Sequence, residues 1–334
     1  MSVAVETKPA TLAPMLSVEN LTTHLPLRRG LVRAVDGVSL HVAEGETLGV
    51  VGESGSGKSM TILSILRLLP RNAKLGGKVL LDGEDLTQVS ERTMQREYRG
   101  RKISMISQDP LTSLNPVFTV GDQVAAPLRY HGGPRRGDAL RQHVTRVLDS
   151  VRIPSPATRL DDYPHQFSGG MRQRVVTGMA IASRPRLLVA DEPTSALDVT
   201  IQVQMMALYR RIQQETGVGI VLITHDLGVA ASVCHRVAVM YAGRIVETGS
   251  VRDLYKRPAH PYTQALLRAI PHFGGRQERL YAIPGAPPGL IDPPRGCRFA
   301  ARCPHRKPLC DDAYPPEAEV APGHKVSCWL AASA

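Results

Sequence analysis

The sequence predicts an α/β fold built on a mostly parallel sheet, with a small irregular region appended at its C-terminal end. Three observations predict it. A short apolar strand over residues 47–51 runs into Gly52-Glu53-Ser54-Gly55-Ser56-Gly57-Lys58-Ser59 and then into a helix over residues 59–69, stopped by Pro70. Two uninterrupted apolar runs, residues 187–190 and 220–223, read as strands buried on both faces, with a helix over 199–215 between them. Beyond residue 257 proline and glycine become frequent and cysteines crowd together, so a boundary falls near residue 258.

The 334 residues suit one large domain with an appendage, or two domains. Aromatic residues are sparse at 4%, so the core must rest on Leu, Val, Ile, Ala and Met. No apolar run reaches the length needed to cross a bilayer. Residues 1–15 lack a charged start followed by an apolar stretch and read as a flexible lead rather than a secretory signal. The expectation is a cytosolic protein whose membrane role, if any, is peripheral. The net charge of +11 admits nucleic acid or an anionic membrane surface as a partner. Its basic residues are scattered, however, apart from Arg135 and Arg136 after the break at His131-Gly132-Gly133-Pro134. No stripe of basic and aromatic residues is present, so solvated surface charge is expected and nucleic acid is not.

Along the chain, residues 16–25 and 32–42 alternate as strands and flank the turn Arg28-Arg29-Gly30. Residues 78–81 and 103–106 are short strands, and the mixed stretch from 109 to 182 reads as a helical subdomain broken by Gly and Pro. Asp198 is placed to cap the 199–215 helix and Gly217 to end it. Residues 236–241 and 244–248 form a hairpin about Ala242-Gly243. No internal repeat is visible.

Chemistry concentrates where strands end. The loop from Gly52 to Ser59 matches the phosphate-loop pattern in full, with Met60 opening its helix. Its glycines let the backbone turn tightly and aim N–H groups at phosphate oxygens, and the helix N-terminus adds its positive end. Lys58 would neutralise the β- and γ-phosphates of ATP and the Ser59 hydroxyl would ligate Mg²⁺. Asp191 ends a buried strand and can hold Mg²⁺ or its waters opposite Ser59; Glu192 follows and can polarise the attacking water. Gln108, just past the strand 103–107, suits contact with both Mg²⁺ and the water. His225 ends the strand 220–224 and can bridge the γ-phosphate and Glu192. A second anion cradle is offered by Ser168-Gly169-Gly170, which begins a helix running to residue 182. One γ-phosphate does not need two complete cradles from one chain. The economical arrangement is a head-to-tail dimer, in which each chain closes its second cradle over the partner's nucleotide.

Taken together these segments resemble the ATP-binding cassette (ABC) ATPases over residues 16–257. Gly52–Ser59 is similar to their Walker A loop, Gln108 to the Q-loop, residues 167–173 to the signature motif and residues 187–192 to Walker B. Ser195-Ala196-Leu197-Asp198 is similar to the D-loop and His225 to the switch histidine. The resemblance implies a RecA-like core sheet with an antiparallel β subdomain and a helical subdomain. It implies Glu192 as general base, with Gln108, His225 and Lys58 beside it, Ser168, Gly169 and Gly170 acting on ATP in trans, and Asp198 facing the opposing site. The signature departs from the common Leu-Ser-Gly-Gly-Gln at Phe167 and Met171, and residues 28–36 hold no aromatic on which adenine could stack.

Further stretches are similar to the oligopeptide/dipeptide importer ATPases: residues 107–116, Tyr163-Pro164-His165-Gln166, and His260-Pro261-Tyr262-Thr263 followed by Gln264-Ala265-Leu266-Leu267. That resemblance implies peptide uptake driven from the cytoplasmic face of the inner membrane. It implies a second ATPase subunit, often a different chain, two permease subunits docking near residues 115–128, and an external binding protein acting indirectly. Nickel or glutathione importers use similar ATPases, and a soluble ABC protein acting on nucleic acid is the remaining alternative.

Cys234 stands alone and reads as a buried small hydrophobe. Cys297, Cys303, Cys310 and Cys328 crowd the tail. Three readings compete: two disulfides, which a reducing compartment disfavours; a four-thiolate zinc site, which lacks the usual close-spaced pairs; and a [4Fe–4S] cluster, which tolerates irregular spacing. Similarity to importer ATPases with such a cluster favours the third, in a structural role.

Overall fold

A computed structural model describes residues 14–133, 136–195, 197–270 and 281–332. Most of the expected flexible lead, Pro134 and Arg135 of the basic cluster, and Ala196 of the D-loop lie outside the described residues.

The chain opens with β1 (Leu16–Leu27), β2 (Gly30–Val42) and β3 (Thr47–Val51), followed by α1 (Lys58–Ile65), β4 (Lys74–Leu81) and β5 (Glu84–Asp85). Short α2 (Glu91–Thr93) continues as a π-turn to Tyr98 before β6 (Ile103–Ile106). A helical block follows: α3 (Pro110–Ser113), α4 (Val120–Tyr130), α5 (Gly137–Ser150) and α6 (Gly169–Ile181). The second half alternates β7 (Leu187–Asp191), α7 (Val199–Thr216), β8 (Gly219–Thr224), α8 (Leu227–Val233), β9 (Arg236–Tyr241), β10 (Arg244–Ser250), α9 (Val251–Lys256) and α10 (Pro261–Arg268). The tail holds a 3₁₀ turn at Ala300–Arg302, α11 (Leu309–Asp312), β11 (Glu317–Ala321), β12 (His324–Ser327) and α12 (Trp329–Ala332).

Two sheets form. The smaller is antiparallel, in the order β2-β1-β4-β5; the larger runs β11-β12-β10-β9-β3-β8-β7-β6. Strands β9, β3, β8, β7 and β6 pair in parallel, and β10, β12 and β11 extend them antiparallel. Every residue of β3, β7 and β8 is buried, as expected for strands covered on both faces. Their alternation divides two cores. Leu187, Val189, Val221 and Ile223 face α1 and the small sheet, whereas Leu188, Ala190, Ile220 and Leu222 face the helices α4 to α7.

Three local expectations are corrected. The first helix ends at Ile65 rather than residue 69, because Arg67 turns left-handed at φ 53° and its guanidinium is held by the Leu86 and Val89 carbonyls. Strand β4 starts at Lys74 rather than residue 78; Gly76 and Gly77 break its alternation, and Gly77, at φ 84°, sits at a register shift against β1. The tail is less irregular than its composition implies, since β12 pairs with β10 and adds to the main sheet.

Candidate nucleotide site

The phosphate loop is threaded between β2 and β9. At Gly52 (φ 155°) a side chain would strike the Met240 carbonyl, and at Gly57 (φ 105°) the Ala34 carbonyl, so both positions require glycine. The Gly243 amide donates to the Ser56 carbonyl at 2.7 Å and fixes the loop from the β9–β10 turn. Lys58 is buried and its ammonium donates to the carbonyls of Gly52 (2.7 Å) and Glu53 (2.9 Å). Burial pulls the Lys58 pKa down, opposed by the carboxylates of Glu192, Asp191 and Glu53. Gly57 caps α1 with no side-chain bond, so the first amides of the helix, among them Ser59 and Met60, lack an intrahelical acceptor and suit anionic oxygens. Ser54 and Gly55 line the exposed rim.

The other expected residues arrive on neighbouring strand ends. Ile106 pairs with Ala190, and Asp191 with Ile223, so the residues after β6, β7 and β8 meet at one edge of the sheet. Ser59 Oγ donates to Asp191 Oδ1 at 3.1 Å. Burial pushes the Asp191 carboxyl up; the Ser59 bond lowers it, the Glu192 charge raises it and Lys58 lowers it, leaving it above the ordinary range. A hydroxyl beside a buried carboxylate is the donor set that suits Mg²⁺, whose charge would relieve that burial. Glu192 sits at φ 44°, an uncommon backbone region for a non-glycine residue at a functional site, with its amide bonded to the Ile223 carbonyl at 3.0 Å. Its Oε2 lies 3.1 Å from His225 Nδ1 and accepts from Gln108 Nε2 at 3.4 Å. Six side chains from four segments thus surround the space beyond the loop.

The second cradle belongs to the opposite core. Ser168 caps α6, its Oγ accepting from the Met171 amide at 3.3 Å, and Gly169 is open to solvent. Phe167, only 3% exposed, packs into the helical core with Met171 against its margin, which accounts for both departures from the common signature. The Arg159 guanidinium lies 5.5 Å from the Phe167 ring. Asp198 caps α7 through the Ile201 amide at 2.9 Å.

Two neighbours of the loop were missed in the sequence. The Glu53 amide donates to Tyr262 Oη at 2.9 Å, and the Glu53 carboxylate is gripped by both ends of the Arg302 guanidinium, at 2.7 and 2.9 Å. Tyr262 lies in a motif singled out above only for its resemblance; nothing in the spacing marked Arg302. The tail also covers the start of β2, where the Arg33 amide donates to the Leu290 carbonyl at 2.8 Å.

The five cysteines are free, so the disulfide reading does not hold. Cys297, Cys303, Cys310 and Cys328 lie within one another's electrostatic reach; burial first and then the neighbouring thiols push up Cys297, to about 11, and also Cys303. Four sulfur donors fit a thiophilic group in kind. Among the described residues, however, no three His, Cys, Asp or Glu side chains stand at metal-ligand spacing, so the expected cluster finds no assembled ligand set here.

Comparison with known proteins supports the reading of both halves. The ABC transporter family matches residues 35–195, and the oligopeptide/dipeptide transporter C-terminal region matches residues 246–310. The chain is 50% identical over 318 residues to the dipeptide transport ATP-binding protein DppD of Bacillus subtilis, covering 95% of this chain and 94% of that one. It is 45% identical over 325 residues to the oligopeptide transport ATP-binding protein OppD of Salmonella typhimurium, covering 96% of each. Among solved structures, the dimeric post-hydrolysis state of the ATP-binding cassette MJ0796 bound to ADP and Pi superposes with a TM-score of 0.63 at 28% identity, covering 71% of this chain and 99% of that one.

Proposed function

This chain belongs to the ABC transporter ATP-binding proteins that carry the oligopeptide/dipeptide transporter C-terminal region, and on that premise we propose that its ATPase cycle drives peptide uptake through a membrane permease. The observation that carries the catalytic part is the convergence of Lys58, Ser59, Asp191, Glu192, Gln108 and His225 on one sheet edge. Lys58 and the loop amides hold the phosphates. Ser59 and Asp191 hold Mg²⁺, with Gln108 at its margin, and the bound ion neutralises charge on the β- and γ-oxygens. Glu192 orients water and accepts its proton. His225 keeps the Glu192 carboxylate aimed and spans to the γ-phosphate. Positioning and charge account for most of the rate.

The cradle Ser168-Gly169-Gly170 stands in a different core from the phosphate loop, which supports a head-to-tail pair of ATPase chains with Asp198 facing the opposing site. Closure over ATP and opening after hydrolysis would move two permease subunits, fed by an external peptide-binding protein. No helix among the described residues is long and apolar enough to cross a membrane, which supports a peripheral position at the cytoplasmic face. Exposed Val117 and Phe118, just beyond Gln108, suit contact with a permease helix.

Glu192→Gln preserves shape while removing the base, and general-base catalysis contributes about 10²–10⁴-fold. Turnover should fall at least about 100-fold while ATP binding persists and a closed dimer accumulates on size exclusion. Turnover at the native rate would refute the role of Glu192. Uptake of labelled dipeptide, nickel and glutathione by the assembled importer separates the cargo alternatives.

The tail's four gathered free thiols support a structural [4Fe–4S] cluster, with Zn²⁺ as the alternative, once the ligands close to bonding distance. An anaerobic preparation should be brown with stoichiometric iron. A colourless, metal-free preparation of the folded protein would reject both.

A further inference from the structure

The C-terminal region meets the phosphate loop at one residue. Three separate groups hold Glu53: Tyr262 accepts its amide at 2.9 Å, Arg302 grips its carboxylate at 2.7 and 2.9 Å, and Lys58 takes its carbonyl at 2.9 Å. Only the last comes from the loop itself. Arg302 is built for one partner. Its side chain is 4% exposed, and its remaining donors go to Tyr241 Oη (3.2 Å) and to the carbonyls of Pro284 (2.9 Å) and Ile283 (3.4 Å). Tyr262 is fully buried, in a cluster with Tyr241 and Phe299 whose ring centroids lie 4.5–5.4 Å apart. Phe299 and Arg302 flank the same 3₁₀ turn, so one packed unit presents both groups to the loop.

A carboxylate within a phosphate-binding loop is an electrostatic liability. Turned toward the triphosphate it would repel it; turned away and left unpaired in this half-buried setting it would be poorly solvated. The Arg302 fork solves both problems, because a planar guanidinium fixes a carboxylate in direction as well as charge. The Tyr262 hydroxyl takes up the one loop amide that would otherwise compete with Ser54 to Ser59 for phosphate oxygens.

We propose that Arg302 and Tyr262 are positioning residues of the nucleotide site, supplied by the C-terminal region of the same chain, and that they hold the Glu53 carboxylate away from ATP and set the curvature of the loop. The appended region is thereby part of the ATP-binding apparatus, whatever the cargo.

The test uses the purified full-length chain, mant-ATP as the probe, and variants confirmed folded by circular dichroism. Arg302→Ala frees the Glu53 carboxylate and should raise the mant-ATP Kd about tenfold, a fraction of what an unpaired half-buried charge costs. In hydrolysis assays KM should rise in step while kcat changes less than about threefold, the signature of lost binding rather than lost chemistry. Adding Glu53→Gln to that variant removes the freed charge and should restore at least about threefold of the affinity, which a merely structural defect would not do. Tyr262→Phe keeps the ring packing and frees the Glu53 amide; a Kd raised about threefold is expected, in line with one lost hydrogen bond. It serves as the decisive variant should Arg302→Ala not fold. A Kd within twofold of wild type in folded Arg302→Ala or in Tyr262→Phe, or a double variant weaker than Arg302→Ala alone, would overturn the proposal.

Discussion

Asp36 is the point at which the tail is bolted to the first β-sheet, and Asp36→Asn tests how firmly. The Asp36 side chain is 8% exposed and accepts from Arg298, from Arg244 at 3.1 Å and from His24 at 3.2 Å. Arg298 is itself only 4% exposed, donates also to the Ala242 carbonyl, and has no partner at Nε. Asparagine keeps the volume but strips the charge, leaving a buried guanidinium uncompensated. Breaking a buried pair from one side costs about 3–5 kcal/mol. Arg244, at 31% exposure, can return to water, so the lower figure of about 3 kcal/mol applies. At about 2.1 cal/mol/K of unfolding entropy per residue, a 334-residue chain loses about 4 °C in Tm for 3 kcal/mol. The tail should loosen first, so the assay combines a thermal melt with the rate of proteolytic cleavage within residues 281–332. Burial pushes the Asp36 carboxyl up, but Arg298, Arg244 and His24 together carry it below its ordinary value of 3.8. Its stabilisation is therefore complete above that value and is lost as pH falls below it; the acid-induced loosening of wild type should be blunted in the variant. Removing both charges, as Asp36→Asn with Arg298→Met, should recover most of the loss. A melt lowered by less than 1 °C with unchanged cleavage would refute the reasoning.

Two further predictions concern buried titrating groups. His260 is fully buried, caps α10 through Nδ1 to the Tyr262 amide at 3.0 Å, and burial pulls its pKa down to about 3. The unfolded chain binds a proton there below about 6.5 while the folded one does not, so stability falls by up to about 1.4 kcal/mol per pH unit between those values. His260→Asn keeps a capping oxygen without the titration, and urea midpoints at pH 7 and pH 5 should differ less than in wild type; an unchanged difference would refute it. Asp191 is the opposite case, an acid whose carboxyl burial pushes up, so its ionisation costs stability as pH rises above the ordinary 3.8. Asp191→Asn should melt at or above wild type in EDTA yet lose at least about 100-fold in Mg²⁺-dependent hydrolysis, a trade of activity for stability; a lower melt in EDTA would contradict the account.

Much of the site was legible because its residues are anchored to strand ends. A run such as Leu187-Leu188-Val189-Ala190 announces a strand without any partner, and whatever follows it must emerge at the edge of a parallel sheet. The same logic placed Gln108 and His225 beside Glu192 before any distance was known. Asp198 and Gly217 bounded α7 through local capping chemistry, which needs no tertiary information. Where a glycine pair interrupted alternation, as at Gly76-Gly77, the start of β4 was lost, because periodicity cannot see through a bulge. Arg302 was invisible for a different reason. Its partner lies 249 residues away, and a single arginine among the scattered basic residues of a chain with net charge +11 carries no periodic or local mark.

That contrast bears on why the tail joins the sheet where it does. Strand β12 pairs with β10 through Glu247 and Thr248, and Glu247, fully buried, accepts from the Ala259 and His260 amides and from His324 Nε2 at 2.7–2.9 Å. One carboxylate therefore fixes the start of α10, which carries Tyr262, and the strand of the tail that holds His324. Arg298 is tied to β2 through Asp36, and Arg302 to the loop through Glu53. Each of these three carboxylates is a residue of the cassette itself, and each receives a group from beyond residue 257. Such a pattern does not arise from a flexible appendage, whose charges would remain solvated at lower cost. Ordering the tail is offset only if all three seats are filled together, so a disturbance at any one of them should be felt at the phosphate loop.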